Sequence, residues 1–231
     1  MVAEARRIAV FGWTTVVIRP NPVRGRGLGH PDYAPFWQAC EQLRLAVAVH
    51  EGTHARLVSA GADRFDSRFG MHACSHPMEQ MMAFLSLLEA GVLERHPGLQ
   101  WAFLEAGCSW LPHWLWRLDE VEYKYLQDEV AETIKIKPSA YFRRQCRVGI
   151  EPSEPLLAQV VPWLGAGSLL FGTDFPHLDH DEGIVDELLT AWQDLPPASV
   201  RQMLSGNAES FYRLPAGSEA GPAAAAGAPS A

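Results

Sequence analysis

Five short runs of apolar residues recur along the chain. They lie at residues 14–20 (TTVVIRP), 45–52 (LAVAVHEG), 101–107 (WAFLEAG), 146–152 (CRVGIEP) and 168–176 (SLLFGTDFP). Each is continuously apolar rather than alternating, and each ends in polar residues. Strands buried on both faces of a parallel sheet have this pattern. Longer stretches with helical spacing separate them. Residues 75–97 (SHPMEQMMAFLSLLEAGVLERHP) predict a helix with Ser75 as N-cap and Pro77 in the first turn. Residues 111–126 place Leu111, Leu115, Leu118 and Val121 on roughly one helical face. PLLAQVVPWLG, EGIVDELLTAW and SVRQMLSGNAESFYRL supply further helices.

Strands alternating with helices predict an α/β fold with right-handed crossovers. A doubly wound sheet usually carries a glycine-rich phosphate loop after its first strand. The sequence has neither G-x-G-x-x-G nor a Walker motif. In a barrel, by contrast, the chemistry collects at the C-terminal ends of several strands. His50, Glu105, Glu151 and Asp174 occupy such ends on four different strands. The expected fold is therefore α/β, with a barrel favoured over a doubly wound sheet. Residues 215–231 (PAGSEAGPAAAAGAPSA) contain no aromatic or large aliphatic side chain and predict a disordered tail.

Composition narrows the functional classes. With 48% hydrophobic and 20% charged residues the chain is of ordinary globular type. A formal net charge of -8 disfavours nucleic acid as a partner. No apolar run approaches membrane-spanning length and MVAEARRIAVFGW lacks a secretory h-region, so the expected compartment is the cytoplasm. Cys40, Cys74, Cys108 and Cys146 are widely separated and predict free thiols rather than a disulfide framework.

Several residues are candidates for chemistry. His50 closes an apolar strand, where an imidazole can face a metal or substrate; a histidine bonded to a neighbouring loop would fit the same position. Asp174 ends the run SLLFGTD, where a carboxylate can ligate a divalent ion or act as a base; a loop-fixing aspartate is the alternative. Gly172 is expected to permit close approach of backbone or ligand. The histidines at 54, 72, 76, 177 and 180 read as loop residues able to border a site. Trp110, Trp114 and Trp116 are expected either to wall a pocket or to pack the following helix. GCSWL around Ser109 departs from G-x-S-x-G at its last position, which disfavours a serine hydrolase.

Four segments in order carry a resemblance. GVLERHPGLQWAFLEAGCSWLPHWLWRLDE (residues 91–120), KPSAYFRRQCRVGIEP (137–152), LLFGTDFPHLD (169–179) and SGNAESFYRL (205–214) resemble the amidohydrolase-related family, the aminocarboxymuconate-semialdehyde decarboxylase-like hydrolases and decarboxylases. The resemblance implies a distorted (β/α)₈ barrel with a divalent ion, zinc or sometimes manganese, at its C-terminal mouth. It places His50 at a metal-binding histidine, and Asp174 at the aspartate that binds metal or moves protons. Where the family commonly has a histidine, in an HGG-like context, this chain has Glu105; a carboxylate there can orient water or bind the ion.

The family's opening His-x-His strand has no counterpart here, and residues 14–20 match the family's fourth strand, so the resemblance implies that residues 1–214 form the C-terminal portion of the barrel, a partial TIM-like (β/α) barrel with about five of eight strands. The resemblance therefore implies a metal-dependent carboxy-lyase or hydrolase acting on a small cyclic or aromatic carboxylic acid. An inactive barrel fragment, or half of a split enzyme, is the alternative. It also implies a homo-oligomer, or a partner chain supplying the remaining strands.

Overall fold

The computed structural model describes residues 1–51, 58–151, 153–177 and 183–214. The tail at 215–231, His54 and His180 lie outside these residues. All five expected strands are present: β1 (Thr15–Ile18), β2 (Ala46–His50), β3 (Trp101–Leu104), β4 (Cys146–Ile150) and β5 (Leu169–Phe171). They form one sheet in the order β1-β2-β3-β4-β5, and every neighbouring pair is parallel. The order follows the chain because each connection contains helix and returns to the same sheet edge, as in an arc of a barrel.

The connecting helices are α1 (Val2–Val10), α2 (Ala34–Gln42), α3 (Arg68–Glu89), α4 (Val92–Arg95), α5 (Leu111–Arg117), α6 (Tyr123–Leu126), α7 (Pro138–Gln145), α8 (Leu157–Leu164), α9 (Ile184–Ala191), α10 (Pro197–Arg201) and α11 (Asn207–Tyr212). Among the described residues no helix is long and apolar enough to cross a membrane.

The helices cover one face of the sheet. Val47, Val49, Trp101, Phe103, Val148 and Leu169 share a core with Phe84 of α3, Leu111 of α5 and Phe142 of α7. Aromatic rings knit this layer: Phe84 meets Phe103 edge-on at 5.9 Å, and Trp37 meets Trp101 at 5.0 Å. Ala46, Ala102 and Leu170 point the other way and form a smaller cluster with Phe211 of α11. The C-terminal helix thus packs where these strands begin, tied further by the Thr14 hydroxyl donating to the Tyr212 carbonyl at 2.6 Å.

Two expectations about helices need correcting. α3 begins at Arg68, and its N-cap is Ser67, whose side chain accepts from the Gly70 amide at 3.1 Å. Ser75 is instead a buried interior residue, and Pro77 sits inside the helix. Proline signals a first turn because it lacks an N–H, but longer helices tolerate it by giving up one hydrogen bond. His72 and His76 are therefore helical, not on a loop. The stretch 111–126 is also not one helix. A π-turn at Leu118–Glu122 separates α5 from α6, so Leu111, Leu115 and Leu118 are buried while Val121 is only half-buried.

Candidate metal and catalytic centre

The C-terminal ends of the strands bring acidic and imidazole groups together. His50 is the last residue of β2, and Glu105 follows β3 directly. His50 Nε2 lies 3.1 Å from Glu105 Oε1. Its other ring nitrogen, Nδ1, lies 2.6 Å from the Glu51 carbonyl. A carbonyl can only accept, so Nδ1 carries the proton. The 3.1 Å approach of Nε2 to the Glu105 carboxylate needs a second proton, so the metal-free ring is an imidazolium; loss of the Nε2 proton would leave there the lone pair a metal ligand needs.

Asp174 and His177 complete the cluster after β5. His177 Nδ1 is 2.8 Å from Asp174 Oδ2 and 3.5 Å from Glu105 Oε1. Ligand atoms of Glu105, Asp174 and His177 all lie within 4.8 Å of one another. Two carboxylates and an imidazole at such spacing are a donor set that suits zinc or manganese. His50 joins this trio through Glu105 Oε1, the oxygen it shares with His177. Glu105 rather than Asp174 is thus the centre of the arrangement.

Two backbone conformations aim these carboxylates. Glu105 and Asp174 have φ of 55° and 54°, the left-handed region that non-glycine residues seldom occupy. Arg24, Arg44 and Arg213 share it, so the conformation alone does not mark a site. At Glu105 and Asp174 it coincides with converging polar side chains, the setting in which such strain is functional. Gly172, expected to permit close approach, would have open space around an added Cβ.

The sequence pattern missed the contribution of α3. His76 Nε2 lies 3.3 Å from Glu105 Oε2, and its Nδ1 lies 3.9 Å from the buried Glu51. One turn on, the fully buried Gln80 donates to the carbonyls of Val49 and Leu104, both at 2.9 Å. A single amide thereby ties together the strand ends that carry His50 and Glu105. His72, whose ring lies 4.4 Å from that of His76, extends the row. The spacing 72, 76, 80 was the available signal: three polar residues at i, i+4, i+8 share one helical stripe.

The charge states follow from these contacts. Hydrogen bonds from His50 and His76 hold the Glu105 carboxyl well below the usual carboxylate range, against the opposing effect of burial. The Glu105 hydrogen bond pushes His50 upward despite partial desolvation, and Asp174 adds to the same effect. Burial, reinforced by the neighbouring Glu154 carboxylate, raises the Cys108 thiol far above neutrality, so it is no nucleophile. All four cysteines are free.

The tryptophans divide. Trp110 is core and donates to the Gly107 carbonyl, while Trp116 is exposed. Trp114 lines a groove of about 510 Å³ with Leu85, Leu118 and Tyr123, among helices rather than beside the histidines and carboxylates above.

Residues 1–214 match the Amidohydrolase family. The chain belongs to that family. It is 26% identical over 214 residues to 2-amino-3-carboxymuconate-6-semialdehyde decarboxylase of Dictyostelium discoideum, an alignment covering 92% of this chain and 57% of the relative. Its fold matches the crystal structure of 5-carboxyvanillate decarboxylase from Sphingomonas paucimobilis with a TM-score of 0.76 and 23% identity, over 92% of this chain and 62% of that one. A dihydroxybenzoic acid decarboxylase from Polaromonas sp., solved with bound manganese and an inhibitor, matches with a TM-score of 0.70 and 17% identity, over 92% of this chain and 65% of that one. The family assignment and the parallel five-stranded sheet agree with a partial amidohydrolase barrel. The chain spans somewhat over half the length of the curated relative.

Proposed function

We propose that this chain carries the metal-binding and proton-handling part of a divalent-metal-dependent decarboxylase acting on a small aromatic or cyclic carboxylic acid. The observation that carries the reading is the convergence of Glu105, Asp174 and His177 at the strand ends, with His50 and His76 on the two oxygens of Glu105. Glu105, Asp174, His177 and His50 would hold the ion, zinc or manganese. When bound, the ion would act as a Lewis acid toward the substrate's oxygens.

The chain's own residues divide the remaining work. Decarboxylation breaks the bond between a carbon and its carboxyl group, CO₂ departs, and a proton must take its place on that carbon. Glu105 is a poor source of that proton, because its imidazole partners keep it ionised. It suits the role of ligand and anchor for the two rings. Asp174, at the mouth and 2.8 Å from His177, is better placed to pass a proton on. The relatives' names favour decarboxylation over hydrolysis, and they give no support to the alternative of an inactive fragment.

The test is CO₂ release from a panel of ortho-hydroxylated benzoates and carboxymuconate semialdehydes, with the chain loaded with manganese or zinc. The reading expects metal-dependent release from at least one of them, abolished in Asp174→Asn. Hydrolysis of an ester or amide panel with no CO₂ release would overturn it.

A further inference from the structure

Glu154 lies outside the cluster above, on the loop between β4 and α8, yet its carboxylate has an unusual set of partners. Oε2 accepts from the Ser109 amide at 2.7 Å and the Ser109 hydroxyl at 2.7 Å. The Cys108 amide donates to both oxygens, at 2.9 and 2.7 Å. Oε1 also accepts from the Glu151 amide at 2.9 Å. One carboxylate therefore gathers three backbone amides and a hydroxyl from two loops, those that follow β3 and β4.

The first of these loops is the one that presents Glu105. Between Glu105 and Ser109 the chain turns twice through left-handed backbone, at Glu105 (φ 55°) and Gly107 (φ 60°). Nothing in that five-residue turn is regular secondary structure, so its amides need acceptors from elsewhere. Glu154 provides them for Cys108 and Ser109. The fit is close: a Cβ added at Gly107 would come within 2.7 Å of Glu154 Oε2. Charge-assisted bonds of this length are stronger than neutral ones, and a glutamine in place of Glu154 would aim an N–H₂ at donors.

We infer that Glu154 is a positioning residue, a latch that holds the Glu105–Ser109 turn and thereby sets the Glu105 carboxylate between His50 and His76. It touches none of the site's imidazoles itself and acts through the turn. The inference deepens the proposed function by naming what aligns its central carboxylate, and rests on that reading only for the consequence for metal binding.

The experiment compares the purified chain with Glu154→Gln, Gly107→Ala and Glu105→Gln. Amide hydrogen exchange at Cys108 and Ser109 reads the latch, with α3 amides as the internal reference. The ring chemical shifts of His50 and His76 at one fixed pH, in metal-free protein, read the position of Glu105. Manganese affinity reads the consequence. Glu154→Gln is expected to speed exchange at Cys108 and Ser109 at least tenfold with α3 unchanged, and to move both ring signals toward those of Glu105→Gln. It should also weaken manganese binding about tenfold. Gly107→Ala should do the same more mildly, which keeps the test usable if Glu154→Gln does not fold. Unchanged exchange at the two amides overturns the latch. Faster exchange with unmoved histidine signals overturns its positioning role. If the unaltered chain binds no manganese, the metal reading fails, and the exchange and ring-shift results still decide the latch.

Discussion

The two faces of the sheet are built to different rules. On the helix-covered face Val47, Val49, Trp101, Phe103, Val148 and Leu169 are completely buried. The other face carries the small Ala46, Ala48, Ala102 and Gly149 beside the larger Leu104, Arg147 and Leu170, and α11 packs against Ala46, Ala102, Leu104 and Leu170. Val17, on this second face of β1, is 70% exposed. The difference teaches where stability and chemistry are separated. The first face supplies close packing that fixes the strands. The second leaves room beside the strand ends, where His50 and Glu105 meet across β2 and β3.

The sharpest way to break this comparison is to empty the packed face. Phe103→Ala removes a ring held edge-on by Phe84 and stacked at 6.1 Å on Phe142. It should cost about 3–5 kcal/mol, read by urea unfolding. A loss under about 1 kcal/mol would mean that this face is not the source of stability. A middle-sized effect is expected where the two faces are joined. Gln80→Leu leaves the Val49 and Leu104 carbonyls without their donor. It should cost roughly 1–3 kcal/mol and, unlike Phe103→Ala at matched stability, should weaken metal binding as well. The smallest effect belongs to the open face. Val17→Ser should change stability by no more than about 0.5 kcal/mol, and a larger loss would show that something covers that residue in solution.

The packed face was far more legible in the sequence than the site. Continuous apolar runs marked all five strands, a pattern expected of burial on both faces that β2 and β3 meet closely and β1, with Val17 exposed, does not. His50 and Asp174 were readable because they end such runs. His76 is legible only as a histidine able to border a site, and Gln80 gives no such signal, because Pro77 suggests a first turn and hides the helix start at Arg68. Once the helix begins at Arg68, the polar stripe 72, 76, 80 faces the strand ends. His177 was read only as a residue bordering the site; its place in the cluster depends on the turn at Asp174, which periodicity does not encode. Glu154 left no signal at all, because its partners are three backbone amides and one hydroxyl, and all but one of them lie on a loop distant in sequence.

The central claim is that the strand-end cluster holds one divalent ion, and its most direct test is manganese titration of the metal-stripped chain across pH. Protons compete with the ion at His50, whose pKa Glu105 raises, so metal affinity should climb as pH rises through and above that value. The metal-free chain should show the opposite sign. The lowered Glu105 contributes stability that is full above the unfolded value of 4.5 and is lost as pH falls through its folded value. The raised His50 contributes stability that is full below 6.5 and is lost as pH rises through its folded value. The ion pair therefore supports the metal-free fold best between those limits, while manganese binds best above them. The account predicts one ion per chain, tighter at higher pH, and at least tenfold weaker binding in Asp174→Asn. Absence of binding, or full affinity retained in that variant, would contradict it.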